Sequence, residues 1–119
     1  MHGYGIYLDL ENQKRYEGMW KRGKKQGNFR VYDWVGGVLE CLMTNDHIES
    51  WGTYKIADWL VIEANFKQGK LNGWLHAIFP LVKAELEIFY KEGQIDGKER
   101  IIKGEVTPQM IHFVKHIDL

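Results

Sequence analysis

Apolar and polar residues alternate along most of the chain, which is the pattern of β-strands that bury one face. In residues 15–22, Tyr16 and Trp20 share one face with a glycine between them, and the other face carries Glu, Met and Lys. The Gly-Lys-Lys-Gln segment at 23–26 predicts a turn, and residues 27–35 predict the return strand. Two strands joined by a glycine turn make a β-hairpin.

This hairpin pattern returns along the chain at a nearly fixed interval. Turn residues recur in steps of 23, 23 and 24, at Gly23, Asp46, Gly69 and Gly93. Three residues before each of them stands a bulky side chain, namely Trp20, Met43, Phe66 and Tyr90. Four residues after each of them stand Gly27, Ser50, Gly73 and Gly97. A period in the twenties indicates small units that stack on their neighbours, with function on an extended surface rather than in a catalytic cleft.

The predicted fold is all-β: an elongated, single-layer antiparallel meander of about nine strands, built from 23-residue β-hairpin repeats. The bulky residues before the turns should form one ladder, and a second ladder should contain Tyr16, Leu39, Ile62 and Leu86. Between the two ladders lie Gly18, Cys41, Ala64 and Ile88. The ladders are interpreted first as core and alternatively as an exposed aromatic groove.

The pattern of apolar and polar residues changes after Glu105, and a single short helix is predicted at residues 108–117. Thr107 supplies a capping hydroxyl, Pro108 suits the first helical position, and apolar residues follow at helical spacing. A helix this short needs a docking partner, and the open end of the sheet is the expected one. The alternative is that the helix binds another chain. Residues 1–119 are thus expected to form a single domain, with repeats over 2–105 and the capping helix within 107–119.

Composition narrows the classes of function. Sixteen Lys and Arg balance sixteen Asp and Glu, so no overall positive charge favours nucleic acid or anionic membrane. A local basic turn is present at Lys21, Arg22, Lys24 and Lys25, and it is interpreted as a solvated hairpin tip. A single cysteine and the lack of a signal-peptide pattern at the start favour a cytoplasmic, intracellular protein.

Residue types that could support catalysis or metal binding lack the partners they need. His112 and His116 have the spacing of two metal ligands on one helix face, but no third ligand accompanies them. Glu85 and Glu87 share a strand face as solvated residues do, and Cys41 lies among packing positions without a nearby base. We therefore expect no enzyme activity, no cofactor and no metal.

The first unit reads Tyr-x-Gly-x-Trp-x-x-Gly-Lys-x-x-Gly over residues 16–27 and resembles the MORN repeat. His2-Gly3-Tyr4-Gly5 resembles the second half of a preceding unit, and the third and fourth units are similar to the looser variant of the repeat. The second unit departs from the pattern, with Leu39, Cys41 and Met43 where Tyr, Gly and Trp are expected.

The resemblance implies an assembly or tethering module, in which some members hold a partner segment in a groove lined by aromatic positions. Carried over to this chain, those positions are Tyr16, Gly18, Trp20, Phe66 and Tyr90. A thin sheet cannot hide five Trp, six Tyr and five Phe, so exposed aromatic surface is also expected, with Trp34, Trp51, Trp59 and Trp74 as its candidates.

The predicted function is a non-catalytic scaffold or assembly subunit that binds a protein partner through an aromatic face of the sheet. The candidate partner-binding residues are Tyr16, Trp20, Trp51, Phe66, Trp74 and Tyr90. The alternatives are an antitoxin-like inhibitor that neutralises one specific enzyme and, third, a peripheral phospholipid-binding module, which the balanced charge disfavours.

Overall fold

A computed structural model describes residues 2–119 as one antiparallel sheet and one helix. The strands are β1 (Gly3–Asp9), β2 (Lys14–Lys21), β3 (Lys24–Tyr32), β4 (Gly37–Thr44), β5 (His47–Ile56), β6 (Leu60–Lys67), β7 (Lys70–Leu71), β8 (Gly73–Phe79), β9 (Ala84–Lys91) and β10 (Gln94–Lys103). A 3₁₀ turn spans Pro80–Val82, and helix α1 spans Pro108–Lys115. The spatial order follows the chain, with the short β7 paired to β6 beside the main path. This confirms the all-β meander, and the extents of 46 × 27 × 22 Å show that it is elongated.

The tight turns between strands explain the most regular positions of the repeat. Arg22 and Gly23 both have positive φ, at 54° and 79°, as a two-residue type I′ hairpin turn requires. The same pair of positive φ angles recurs at Asn45-Asp46, Gln68-Gly69 and Glu92-Gly93. The four-residue turn predicted over 23–26 is therefore wrong, because a two-residue turn lets β3 begin at Lys24 and end at Tyr32.

A second positive-φ position follows four residues later in every repeat, at Gly27, Ser50, Gly73 and Gly97. In the first repeat, Gly18 pairs with Phe29 and Trp20 with Lys25. Three residues on β3 thus oppose one on β2, which is a bulge that bends the strand. Comparable register shifts occur in β5 and β10, whereas the third repeat breaks into β7 and β8 at this point.

Successive hairpin turns are tied together by hydrogen bonds that also repeat. The second residue of each later turn donates its backbone N–H to a carbonyl of the preceding repeat, in the pairs Asp46 to Lys25, Gly69 to Ile48 and Gly93 to Leu71. A side-chain oxygen then accepts from the first turn residue of the next repeat, in the pairs Gln26 with Asn45, Glu49 with Gln68 and Asn72 with Glu92. These bonds fix the stacking of one unit on the next.

The predicted ladders form the core on one side of the sheet, which we call the core face. All four members of the first ladder are buried, as are Leu39, Ile62 and Leu86 of the second, while Tyr16 is half-buried. The column between them is buried at every repeat. At Gly18 a Cβ atom would lie 2.6 Å from the Phe29 ring, so the aromatic side chain occupies the space that the glycine leaves.

Helix α1 crosses the core face. Thr107 caps it by accepting a hydrogen bond from the Met110 N–H at 3.2 Å, as predicted. Val114 is buried in the core, Phe113 contacts the Trp59 ring at 5.3 Å, and Lys115 pairs with Glu99 of β10 at 2.6 Å. After the helix ends, the chain lies beside Lys14 at the start of β2.

Two expectations for the helix are corrected by this placement. The helix ends at Lys115 rather than at residue 117. It also leaves all ten residues of β10 exposed, because its apolar side packs across the core face instead of along the sheet edge. Within residues 2–119, no helix is both long enough and apolar enough to cross a membrane.

Candidate partner-binding face

The side of the sheet opposite the core, which we call the outer face, carries one glutamate per repeat. These residues are Glu17, Glu40, Glu63 and Glu87, at steps of 23, 23 and 24. Register places them in one row with residues of the intervening strands, because Glu63 pairs with both Thr53 and His76, and Glu87 pairs with both His76 and Arg100. We call this line of four glutamates the carboxylate row. It is visible in the sequence once the repeat is aligned, yet the sequence analysis did not single it out.

Aromatic side chains lie beside the carboxylate row on the same face. Trp51 of β5 pairs with Asn65 of β6, and Trp74 of β8 pairs with Phe89 of β9. The Trp51 side chain is 45% exposed, and Trp74 is half-buried. Both residues were predicted to contact a partner, and both lie on the face that the helix leaves uncovered.

Two surface clefts open on the outer face, and Trp51 borders both. The first has a volume of about 420 Å³ and is lined by Tyr4, Glu17, Arg30 and Glu40 together with Trp51. The second has a volume of about 490 Å³, and its lining includes Trp51, Glu63, Asn65, Trp74 and Glu87. We call the second one the Trp51 cleft. It combines two indole rings with two carboxylates, a set that suits a ligand with both apolar and cationic parts.

Two of the four carboxylates already bind an arginine of this chain. Arg100 donates from Nε to Glu87 Oε1 at 2.7 Å, and its guanidinium lies 4.3 Å from the centre of the Trp74 ring. At the other end of the sheet, Arg15 Nε lies 3.4 Å from Glu17 Oε1, and its guanidinium lies 4.2 Å from the Tyr32 ring centre. Each arginine therefore combines an ion pair with stacking on an aromatic ring.

The two central carboxylates have no such partner among residues 2–119. Glu40 makes no ion pair there, and the Glu63 side chain, 61% exposed, lies 3.9 Å from His76 Nδ1. His76 instead donates its Nε2–H to Glu85 Oε1 at 2.8 Å. Arg30 lies opposite both Glu17 and Glu40 in the register, so the exposed Glu63 carboxylate is the acceptor that the middle of the outer face offers to a cationic group of another molecule.

The structure divides the six predicted partner-binding residues between the two faces. Trp20, Phe66 and Tyr90 are buried in the core, so a partner cannot contact them in this conformation. Tyr16 is half-buried, with its ring centre 4.7 Å from Lys25 Nζ. The aromatic groove expected on the ladder positions is not open, because these side chains pack into the buried core cluster.

The other two tryptophans that were predicted to be exposed differ in their surroundings. Trp34 is 76% exposed in the turn between β3 and β4, whereas Trp59 packs against Phe113 of the helix. A cleft of about 340 Å³ lies between this turn and the helix, and Trp34 and Tyr54 are among its lining residues. Tyr54 donates its hydroxyl hydrogen to Asp33. Burial is the larger cause of the raised pKa of Tyr54, and this hydrogen bond is the second. The bond joins residues 21 positions apart, and the sequence did not indicate it.

The residues that were considered for catalysis or metal binding make structural contacts instead. The rings of His112 and His116 lie 4.1 Å apart, and His116 Nδ1 donates to the His112 carbonyl at 2.7 Å. Cys41 is buried, as predicted, and burial raises the pKa of its thiol to about 12. Glu85 and Glu87 lie on the outer face and bind His76 and Arg100. Residues 2–119 contain no group of three His, Cys, Asp or Glu placed to hold a metal ion.

A scan against protein-family models finds no match to this chain, and a search of curated proteins finds none either.

Proposed function

We propose that this chain is a non-catalytic protein-binding module of the MORN-repeat type, and that it contacts its partner through the outer face. The observation that carries the proposal is the position of Trp51. A large aromatic side chain, 45% exposed, stands between two clefts on the face opposite helix α1. Exposed tryptophan beside polar residues is typical of interface centres.

The repeat geometry supports the MORN-type assignment. Beyond the first turn residue, each repeat needs two further positive φ angles, one at the second turn residue and one four residues later. Glycine meets both needs without strain, and the sequence has glycine at six of those eight positions. The exceptions, Asp46 and Ser50, both belong to the divergent second unit.

Charge favours a protein over nucleic acid or anionic lipid as the ligand of this face. The exposed Glu63 carboxylate would attract cationic side chains rather than phosphate groups. The basic hairpin tip lies at the strand ends instead, and there Lys25 already pairs with Asp46 at 3.8 Å. A protein partner with basic and apolar residues fits the outer face best.

The proposal is tested by affinity capture from the native source with three baits: wild type, Trp51→Ala and Trp34→Ala. Trp34 is an exposed tryptophan outside the outer face, so it controls for general loss of aromatic surface. We expect wild type and Trp34→Ala to retain the same protein and Trp51→Ala to lose it, with melting temperatures unchanged.

The identity of the captured protein then separates the two binding roles. Several subunits of one assembly support the scaffold, whereas a single enzyme that loses activity on binding supports the inhibitor. Equal capture by Trp51→Ala and wild type would contradict the proposal. Retention on phosphatidylserine vesicles without a protein partner would do so as well.

A further inference from the structure

Strands β5, β6 and β8 and strands β8, β9 and β10 place corresponding residues in the same arrangement on the outer face. We refer to the two arrangements by the repeat that supplies the glutamate, the third and the fourth, although each tryptophan comes from the preceding repeat. Trp51 corresponds to Trp74, Glu63 to Glu87 and His76 to Arg100, at separations of 23, 24 and 24 residues. Register confirms the correspondence, because each tryptophan pairs with the residue two positions after the glutamate. The chain therefore contains two versions of a single local site.

In the fourth repeat the site is filled by the chain itself. Arg100 lies two strands from Trp74, and its long side chain bridges Glu87 and the indole ring, at 2.7 Å and 4.3 Å. In the third repeat His76 occupies the position of the arginine. Its imidazole is shorter and its Nε2–H is committed to Glu85, so it does not lie over Trp51.

We propose that the Trp51 cleft binds an arginine side chain of the partner protein, in the manner that Arg100 binds in the fourth repeat. The guanidinium would stack on Trp51 and pair with Glu63. This inference rests on the proposed function and adds the chemistry of the partner, a segment that presents an arginine beside apolar residues.

Charge and space agree with that occupant. The Trp51 cleft has a volume of about 490 Å³ and contains both Glu63 and Glu87. Glu87 is neutralised by Arg100, which leaves the Glu63 carboxylate as the acceptor. Arginine suits the site better than lysine, because its planar fork can stack on an indole and still donate to a carboxylate.

The test is an NMR titration with the blocked peptide acetyl-Gly-Arg-Gly-amide, observed at the five tryptophan indole N–H signals. The matched peptides replace arginine with citrulline, which has nearly the same shape without the charge, or with lysine. We expect a saturable shift of the Trp51 signal with the arginine peptide, weaker binding of the lysine peptide and no saturable shift with citrulline. Glu63→Gln should weaken arginine binding about five-fold, and Trp51→Ala, followed at the backbone amide signals of the cleft because the indole reporter is absent, should weaken it by a similar factor.

Two reciprocal variants test the correspondence between the repeats. His76→Arg supplies the missing arginine in the same chain, so it should abolish peptide binding at Trp51, whereas His76→Gln should preserve it. Arg100→Ala empties the fourth-repeat site, so the Trp74 signal should begin to shift as well. If His76→Arg fails to fold, Glu63→Gln and Arg100→Ala still decide the outcome.

Several results would overturn the inference. They are equal shifts with arginine and citrulline, an unchanged response in Glu63→Gln, or no saturable Trp51 shift at the solubility limit of the peptide. A Trp51 signal that moves with protein concentration alone would assign the arginine to a second copy of the chain. If the peptide fails while Trp51→Ala still loses the captured partner, the proposed function stands and arginine recognition falls.

Discussion

Residue size at the centre of each repeat controls how the core face is filled. From the first repeat to the last, the central column contains Gly18, Cys41, Ala64 and Ile88, all buried. Where the residue is glycine, the Phe29 ring occupies the space, and where it is isoleucine, the side chain fills the space itself. The size of the residue at this position therefore decides whether a neighbouring side chain or the residue itself fills the space in each repeat.

Trp20 provides the clearest stability prediction at this scale. It is buried, its ring meets Phe29 edge-on at 5.7 Å, and its Nε1–H has no hydrogen-bond partner among residues 2–119. We expect Trp20→Ala to lower the free energy of unfolding by about 3–5 kcal/mol. Trp20→Phe should cost much less, because it keeps an aromatic ring and loses no hydrogen bond. Equal losses in chemical denaturation would contradict this account.

Cys41 predicts how stability depends on alkaline pH. Burial raises its pKa from 9.0 to about 12, so the folded state keeps the thiol protonated after the unfolded chain has begun to ionise. The stability contributed by this group is complete below pH 9 and is lost as pH rises toward 12, at about 1.4 kcal/mol per pH unit.

Denaturant unfolding of wild type and Cys41→Ala between pH 9 and 10 isolates the thiol, because the contributions of Tyr16, Tyr54 and Tyr90, whose pKa values are also raised in the folded state, are common to both proteins and cancel. Cys41→Ala should show a shallower loss of stability over that interval. Identical slopes would mean that the thiol is not buried in the folded protein.

At the scale of elements, the repeat period predicted the meander but not the exact turns. The positions of Gly23 and Gly27 both indicate chain reversal, and only the conformation assigns one to a tight turn and the other to a bulge. The side-chain bonds from Gln26, Glu49 and Asn72 to the next turn could not be predicted either, since they depend on the stacking distance between units.

The helix illustrates the same limit. Thr107 and Pro108 predicted its start, because capping depends on local sequence. The prediction that the helix docks on the open end of the sheet was wrong, because the choice between the sheet edge and the core face depends on which apolar surface is larger. The core face gains Val114 and the flanking apolar residues of the helix, whereas β10 remains exposed.

This placement predicts that the helix stabilises the whole sheet. Val114→Ala should lower the free energy of unfolding by roughly 1–3 kcal/mol, and Gln109→Ala, at an exposed position of the same helix, should leave it nearly unchanged. Removal of residues 107–119 should keep a β-rich circular dichroism spectrum but cause aggregation, because core-face residues become exposed. A monomeric truncated protein of unchanged stability would show that the helix serves a partner instead.

For the whole molecule, the two faces of a single sheet have separate roles. The helix and the ladders make the core face the stabilising one, and the outer face keeps Glu40, Glu63 and Trp51 accessible. Sequence alone identified Trp51 and Trp74 as accessible aromatic residues, yet it could not place them on a different face from Trp20 and Phe66. That distinction required the strand register, because a bulge precedes Trp51 and a strand break precedes Trp74, and each of them resets the alternation.

The claim that the outer face is the binding surface is tested most directly by hydroxyl-radical footprinting of the chain with and without its captured partner. Side-chain oxidation reports exposure at each tryptophan separately. We predict that Trp51 is oxidised in the free chain and protected in the complex, that Trp34 stays reactive in both, and that buried Trp20 stays unreactive in both. Protection of Trp34 with continued oxidation of Trp51 would contradict the account and move the interface to the cleft beside the helix.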